Sequence, residues 1–252
     1  MKTSSLAVAA SLVGAILVRS PVAEAVELKV IAGGSMTASM NAIAPDFEKA
    51  TGHRLVTHFD STPNIIARVT SGTPFDAVVV PVDVFKDAAA KARFAPGPTV
   101  DIARVGYGVI VRSGAAKPDI STADKFKKAL LDAPAVVYLP SSAAGAYVTK
   151  VFERLGIADA IKAKTKLAAT PAGIPEAVAK GEAELGVFLS NVLIAPGVEL
   201  VGPFPGDLQQ ELVFSAAIAA DTKEAAAAKA LIDYLQTPAA TAVIKAKGMT
   251  PG

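Results

Sequence analysis

The sequence has no cysteine and no tryptophan, only two histidines, and only 6% aromatic residues. Without cysteine there is no disulfide framework, no thiolate metal site and no cysteine nucleophile. His53 and His58 alone do not make a zinc site, so no protein-ligated metal is expected. A G-x-S-x-G nucleophile turn is missing. Gly33-Gly34-Ser35 lacks the lysine of a phosphate-cradling loop, and the glycine fingerprint of dinucleotide sites is absent, so no cofactor is expected. Nor is there an excess of charge of one sign. The chain of 252 residues carries 25 Lys and Arg against 23 Asp and Glu, with no basic block, which argues against nucleic acid as a partner.

No apolar run reaches the roughly 20 residues that span a bilayer. The longest, Ser5 to Val18, follows Lys2 and precedes Ala23-Glu24-Ala25. A positive start, a short apolar core and small residues at the end are the marks of a secretory leader. The expectation is cleavage near Ala25, with residues 1–25 removed and a periplasmic mature chain.

What is present is aliphatic. Hydrophobic residues make up 52% of the chain and charged ones 19%, enough for a well-filled core built from Ala, Val, Ile and Leu. Short apolar strands alternate with segments of helical spacing. Residues 26–32 predict a strand, Thr37–Thr51 a helix stopped by Gly52, residues 54–59 a strand, and residues 75–80 a strand apolar on both faces. Further strands are expected at residues 105–112, 135–139, 165–168, 185–189, 197–201 and 212–219. Helices are expected at 64–71, 121–132 (with Ser121 as N-cap), 144–155, 174–180, 223–236 and 239–247. This alternation makes an α/β protein. It divides into two Rossmann-like lobes with mixed, mostly parallel sheets: residues 26–104 with 213–252, and residues 105–212. The strands at 105–112 and 212–219 are the expected crossovers.

In such folds ligands bind beyond the carboxyl ends of strands, beside helix N-termini whose free N–H groups favour anions. Three strand-to-helix turns here are rich in glycine and small hydroxyl residues. They are Gly33-Gly34-Ser35-Met36-Thr37, Asp60-Ser61-Thr62-Pro63-Asn64 and Pro140-Ser141-Ser142-Ala143-Ala144-Gly145. Each is also compatible with ordinary helix capping.

At these turns the chain resembles the periplasmic molybdate-binding proteins of the type II solute-binding superfamily. The resemblance is carried by Ala32 to Thr37, by Phe59-Asp60-Ser61-Thr62 with Ala67-Arg68, and by Ala144-Gly145-Ala146-Tyr147. Gly181 to Gly186 and Pro238 to Ala240 add to it. It implies a two-lobed receptor that captures a small anion for a membrane transporter of the ABC type, acting as a monomer. It further implies a site of hydroxyls and amides: Ser35, Ser61 and Thr62 from the first lobe, and Ser142, Ala144, Gly145 and a residue near Ala172 from the second. The sequence departs from the family at Leu189, where molybdate binders place a tyrosine hydroxyl, and at Asp60 and Pro63. These departures leave oxyanions and organic carboxylates both open as ligands. Some relatives of this family handle polycarboxylates, an aconitate isomerase among them. In that alternative Arg68 and Arg104 are the expected carboxylate clamps, and His58, Asp60, Tyr107 and Tyr147 the candidates for moving an allylic proton.

Overall fold

A computed structural model describes residues 25–252; the leader expected at residues 1–25 lies almost wholly outside the described residues. The first half of the molecule grows from β1 (Glu27–Gly33), β2 (Arg54–Asp60) and β3 (Ala77–Pro81), in parallel order β2-β1-β3. Strand alternation sends side chains to opposite faces. Val30 and Ala32 of β1, with Ala77 and Val79 of β3, enter one buried cluster; Ile31, Val78 and Val80 enter another. Helices must therefore cover both faces. α1 (Thr37–Thr51) presents Met40, Ile43 and Phe47 to the first cluster, and α8 (Ala225–Leu235) and α9 (Pro238–Ala246) pack beside it. α2 (Thr62–Thr70) and the short α3 (Ala88–Lys91) cover the second.

The strand β4 (Val100–Arg112) is five residues longer at its start than its apolar pattern predicts, and it belongs to both halves. Its residues from Val100 to Gly106 pair with β9 (Glu211–Ile218), which itself lies antiparallel against β3. From Tyr107 onward it pairs with β7 (Leu185–Leu189) and β8 (Val198–Pro203). The strand at 212–219, expected to cross between lobes, stays in the first sheet; the chain returns through the preceding segment, 204–210. Two rings stack across this junction, Tyr107 on Phe204 at 5.4 Å. The Gln209 side chain clamps the Tyr107 backbone there, accepting from its N–H (3.0 Å) and donating to its carbonyl (2.9 Å).

The second lobe repeats the plan with β5 (Val136–Tyr138), β6 (Thr165–Leu167) and β7 in parallel order β6-β5-β7. They are joined through α4 (Ala123–Asp132), α5 (Ala143–Arg154), α6 (Ala158–Lys162) and α7 (Gly173–Ala179). α4 is capped by Thr122, whose hydroxyl accepts from Lys125 N–H, and not by the expected Ser121, one residue earlier. A two-residue β10 (Thr250–Pro251) closes the chain against β4. The protein is thus a mixed α/β fold of two lobes. Among the described residues no helix is long and apolar enough to cross a membrane.

Candidate functional site

The carboxyl ends of β1, β2 and β5 face one another across the cleft, and the three small-residue turns meet there. They enclose a cavity of about 20 Å³ lined by Gly34, Ser35, Asp60, Ser61, Thr62, Ser142, Ala143 and Ala144. Pro171 and Phe188 close its walls. The lobes touch at this point. Ala143 N–H donates to the Thr62 hydroxyl across the cleft at 3.2 Å, and Asn191 Nδ2 donates to the Ser35 carbonyl at 2.8 Å. A Cβ added to Gly34 would stand 3.2 Å from Pro171, so a larger residue would wedge the lobes apart.

Not every residue expected at the site has a group to spare. Ser142 is the N-cap of α5: its hydroxyl donates to the Leu139 carbonyl (2.9 Å) and accepts from Gly145 N–H (2.9 Å). Both Ser142 and the Gly145 amide, expected as ligand contacts, are therefore committed to the turn. Gly145 serves it sterically, because a Cβ there would lie 1.7 Å from the Leu139 carbonyl oxygen. The Ser35 and Ser61 hydroxyls, in contrast, make no hydrogen bond among the described residues, and the Thr62 hydroxyl accepts one and keeps its proton free. Opposite them stands the start of α5, whose first amides point out of the helix. Ala144 lies on the cavity wall, and Ala172 lies farther out, in a chamber of about 780 Å³ that opens from the cavity.

Asp60 sits on the same wall. Partial burial pushes its pKa up, but hydrogen bonds from Asn64 Nδ2 (2.7 Å), Ser61 N–H (2.7 Å) and His58 Nε2 (3.4 Å) outweigh that and hold it below the usual carboxylate value. Asp60 is ionised at neutral pH and consumes the Ser61 amide. His58 touches Asp60 but does not line the cavity.

Tyr107 and Tyr147 lie together, ring centroids 4.8 Å apart, on a second chamber of about 720 Å³. Burial, and to a lesser degree Tyr147 and Asp83 nearby, push the Tyr107 phenol well above its ordinary pKa. Burial also raises that of Tyr147, whose hydroxyl donates to the Leu208 carbonyl (2.9 Å). Both phenols hold their protons and are donors, not bases, at neutral pH.

The two arginines are elsewhere. Arg104 pairs with Asp101 at 3.3 Å on β4, and Arg68 lies near the far end of α2; neither lines the cavity or its chambers. Strand alternation along β4 and the length of α2 separate them from the turns, a displacement that residue type alone does not reveal. Leu189, expected where relatives carry a tyrosine, is wholly buried, and the cavity wall is formed by its neighbour Phe188. That wall offers no hydroxyl. The Ala143 amide, Asn191 and Gln209 also serve here. Ala143 stands inside the small-residue turn before α5; the other two carry no motif by which sequence alone reveals them. No cluster of potential metal ligands occurs among the described residues.

Residues 28–250 match the family described as bacterial extracellular solute-binding protein. An aconitate isomerase from Pseudomonas sp is 33% identical over 89% of this chain and 87% of its own. The molybdate-binding protein ModA of Azotobacter vinelandii is 32% identical over 90% of each chain. Among solved structures, the Azotobacter vinelandii periplasmic molybdate-binding protein superposes with a TM-score of 0.71 over 88% of this chain and 98% of its own, at 23% identity. The sulfate-binding protein SubI of Mycobacterium tuberculosis superposes at 0.69 over 90% and 87%, at 17% identity. The chain therefore belongs to the bacterial extracellular solute-binding proteins, in the group that resembles the molybdate-binding proteins.

Proposed function

We propose that the protein is a periplasmic receptor, freed from its leader near Ala25, that closes its lobes on a small anion and delivers it to an ABC-type membrane transporter. One observation carries this reading. Free hydroxyls of Ser35, Ser61 and Thr62 in one lobe face the start of α5 in the other, around a cavity too small for more than a compact group. At the start of α5 the Ala144 amide has no hydrogen-bond partner among the described residues, while those of Ala143 and Gly145 do; with the partial positive charge of a helix start, it favours an anion without a lysine or arginine. The hinge lies where β4 passes between sheets, at Gly106 and Tyr107, and in the 204–210 return. Closure then places ligand contacts from both lobes on one anion.

The test is a thermal-shift panel on the secreted chain with sulfate, molybdate, tungstate and organic acids. At about 100 times its Kd a ligand of the folded state adds about 2.7 kcal/mol, or about 5–10 °C in Tm for a chain of this size. No shift with any anion sinks the reading.

A second reading, isomerisation of a tricarboxylate, is favoured by the relative at 33% identity. The geometry lends it less. Arg68 and Arg104 lie away from the chambers, and Asp60 is a weaker base than an ordinary carboxylate. Incubating the protein at high concentration with cis-aconitate and following trans-aconitate by NMR decides it; absence of conversion leaves the receptor alone.

A further inference from the structure

The charges around the cavity constrain what else the anion can carry. Asp60 and Ser61 are adjacent, and both line the cavity and the 780 Å³ chamber. The charged residues of that chamber are Asp60, Glu176 and Lys180, and the last two pair with each other on one turn of α7 and just beyond it. Asp60 has no lysine or arginine within 4 Å among the described residues, only His58 at 3.4 Å. Its Oδ1 already accepts from Ser61 and Asn64, while Oδ2 faces His58 alone. The Asp60 side chain keeps 29% of its surface exposed. Asn191, also on the chamber wall, donates one amide proton to the Ser35 carbonyl, and its Oδ1 is buried away from the chamber. A partly exposed carboxylate with no lysine or arginine beside it repels acceptor-only groups and favours donors.

We propose that the ligand is a small organic acid that carries a hydrogen-bond donor, an ammonium or a hydroxyl, beside its carboxylate, and that Asp60 holds this donor. The proposal rests on the anion site described above. The carboxylate occupies the cavity against Ser35, Ser61, Thr62 and the start of α5. The donor lies one or two bonds away and turns to Asp60, the immediate neighbour of Ser61. The rest of the molecule extends into the chamber, where Phe59, Leu139, Pro171, Ala172, Val192 and Ile194 give it an apolar wall. Sulfate and molybdate are acceptors only at neutral pH and offer the exposed Asp60 Oδ2 no donor. A second carboxylate in this chamber meets Asp60, and the only lysine or arginine lining it among the described residues, Lys180, already faces Glu176. The other chamber is no better supplied: Lys86 is held by Asp83 at 2.8 Å, and Lys150 shares the space with Glu211. Asp60 is thus a specificity-determining residue, selecting for the donor.

Calorimetry on matched acids that differ in the donor alone tests this. The sets are alanine and lactate against propionate, aspartate and malate against succinate, glutamate against glutarate, and citrate against tricarballylate, with sulfate and molybdate alongside. In the set that binds, the donor-bearing member is expected to bind about 10- to 100-fold more tightly than the member without it, as a charge-assisted hydrogen bond requires. Comparison of amino with hydroxy acids tells the two donors apart. Asp60→Asn is expected to reduce the preference to about threefold or less, while Asn64→Ala, which removes a hydrogen bond but no charge, preserves it. The matched sets on the unaltered protein decide the matter even if Asp60→Asn fails to fold. Equal affinity for members with and without the donor, or tighter binding of sulfate, molybdate or tricarballylate, overturns this proposal and leaves the anion site standing. No binding by any anion removes both.

Discussion

Replacing Gly145 by alanine separates the placement of α5 from its composition. In an ordinary helix the change stabilises, by about 0.5–1 kcal/mol. Here the new Cβ would stand 1.7 Å from the Leu139 carbonyl oxygen and 2.7 Å from Pro140 Cα. Both are backbone atoms of the turn that starts the helix, so no side chain can swing aside. To reach an ordinary C···O separation of about 3.3 Å, helix and turn must part by roughly 1.5 Å. Overpacking of this kind costs about 1–3 kcal/mol, and the near-coincidence of atoms puts Gly145→Ala at the upper end, well above the propensity gain. The expected fall in Tm is about 5–10 °C at 2–4 °C per kcal/mol. The same shift carries Ala143 and Ala144 out of hydrogen-bonding range, so affinity for the best anion of the thermal panel should drop by about 10- to 100-fold. Gly52→Ala is the control. Gly52 ends α1 with φ of 76° and has nothing within 4 Å of an added Cβ. It should cost about 1–2 kcal/mol through backbone strain alone and leave affinity unchanged. Melting curves and calorimetry on the two variants read both effects. If Gly145→Ala melts and binds like the parent, or if Gly52→Ala loses as much affinity, the turn does not position the anion site.

Three further outcomes follow from the same contacts. Thr62→Val removes the acceptor that the Ala143 amide uses across the cleft; anion affinity should fall about 5- to 30-fold, whereas Thr62→Ser should stay within threefold by calorimetry. Asp60, Asp119 and Glu199 all have folded-state pKa values below their ordinary ones, Asp119 chiefly through a hydrogen bond from Lys125 and Glu199 through those from the Gly114 N–H and Lys117. Their stabilising contribution is complete above the unfolded value near pH 4 and is lost as pH falls through the folded values. Tm should therefore decline on acidification below about pH 4, less steeply in Asp60→Asn. Tyr107→Phe should leave Tm within about 2 °C, because its hydroxyl has no hydrogen-bond partner among the described residues and its ring packing against Tyr147 and Phe204 persists. Tyr107→Ala should cost about 3–5 kcal/mol. If the protein isomerises aconitate with Tyr107 as proton donor, the phenylalanine variant abolishes conversion without touching stability.

Local patterns determined much of this protein. The helical spacing of Met40, Ile43 and Phe47 with Gly52 behind it yields α1 over its observed span. The unbroken apolar run before Pro81 yields a strand buried on both faces. Ser35, Ser61, Thr62 and the start of α5 were legible as well, since small hydroxyl residues between a strand and a helix are a local signal. Tertiary structure decided which of these groups were free. The Thr62 hydroxyl meets Ala143, 81 residues away, whereas the Ser142 hydroxyl and the Gly145 amide satisfy each other locally, in the cap. Arg68 and Arg104 have the right chemistry for a carboxylate, but α2 and β4 carry them away from the cleft. Charge balance at Asp60 likewise depends on which cations the fold brings near it, and among the described residues the fold brings only His58. Strand and helix formation depend on neighbours a few residues apart, whereas a binding site depends on which unsatisfied donors and charges distant segments leave facing one another.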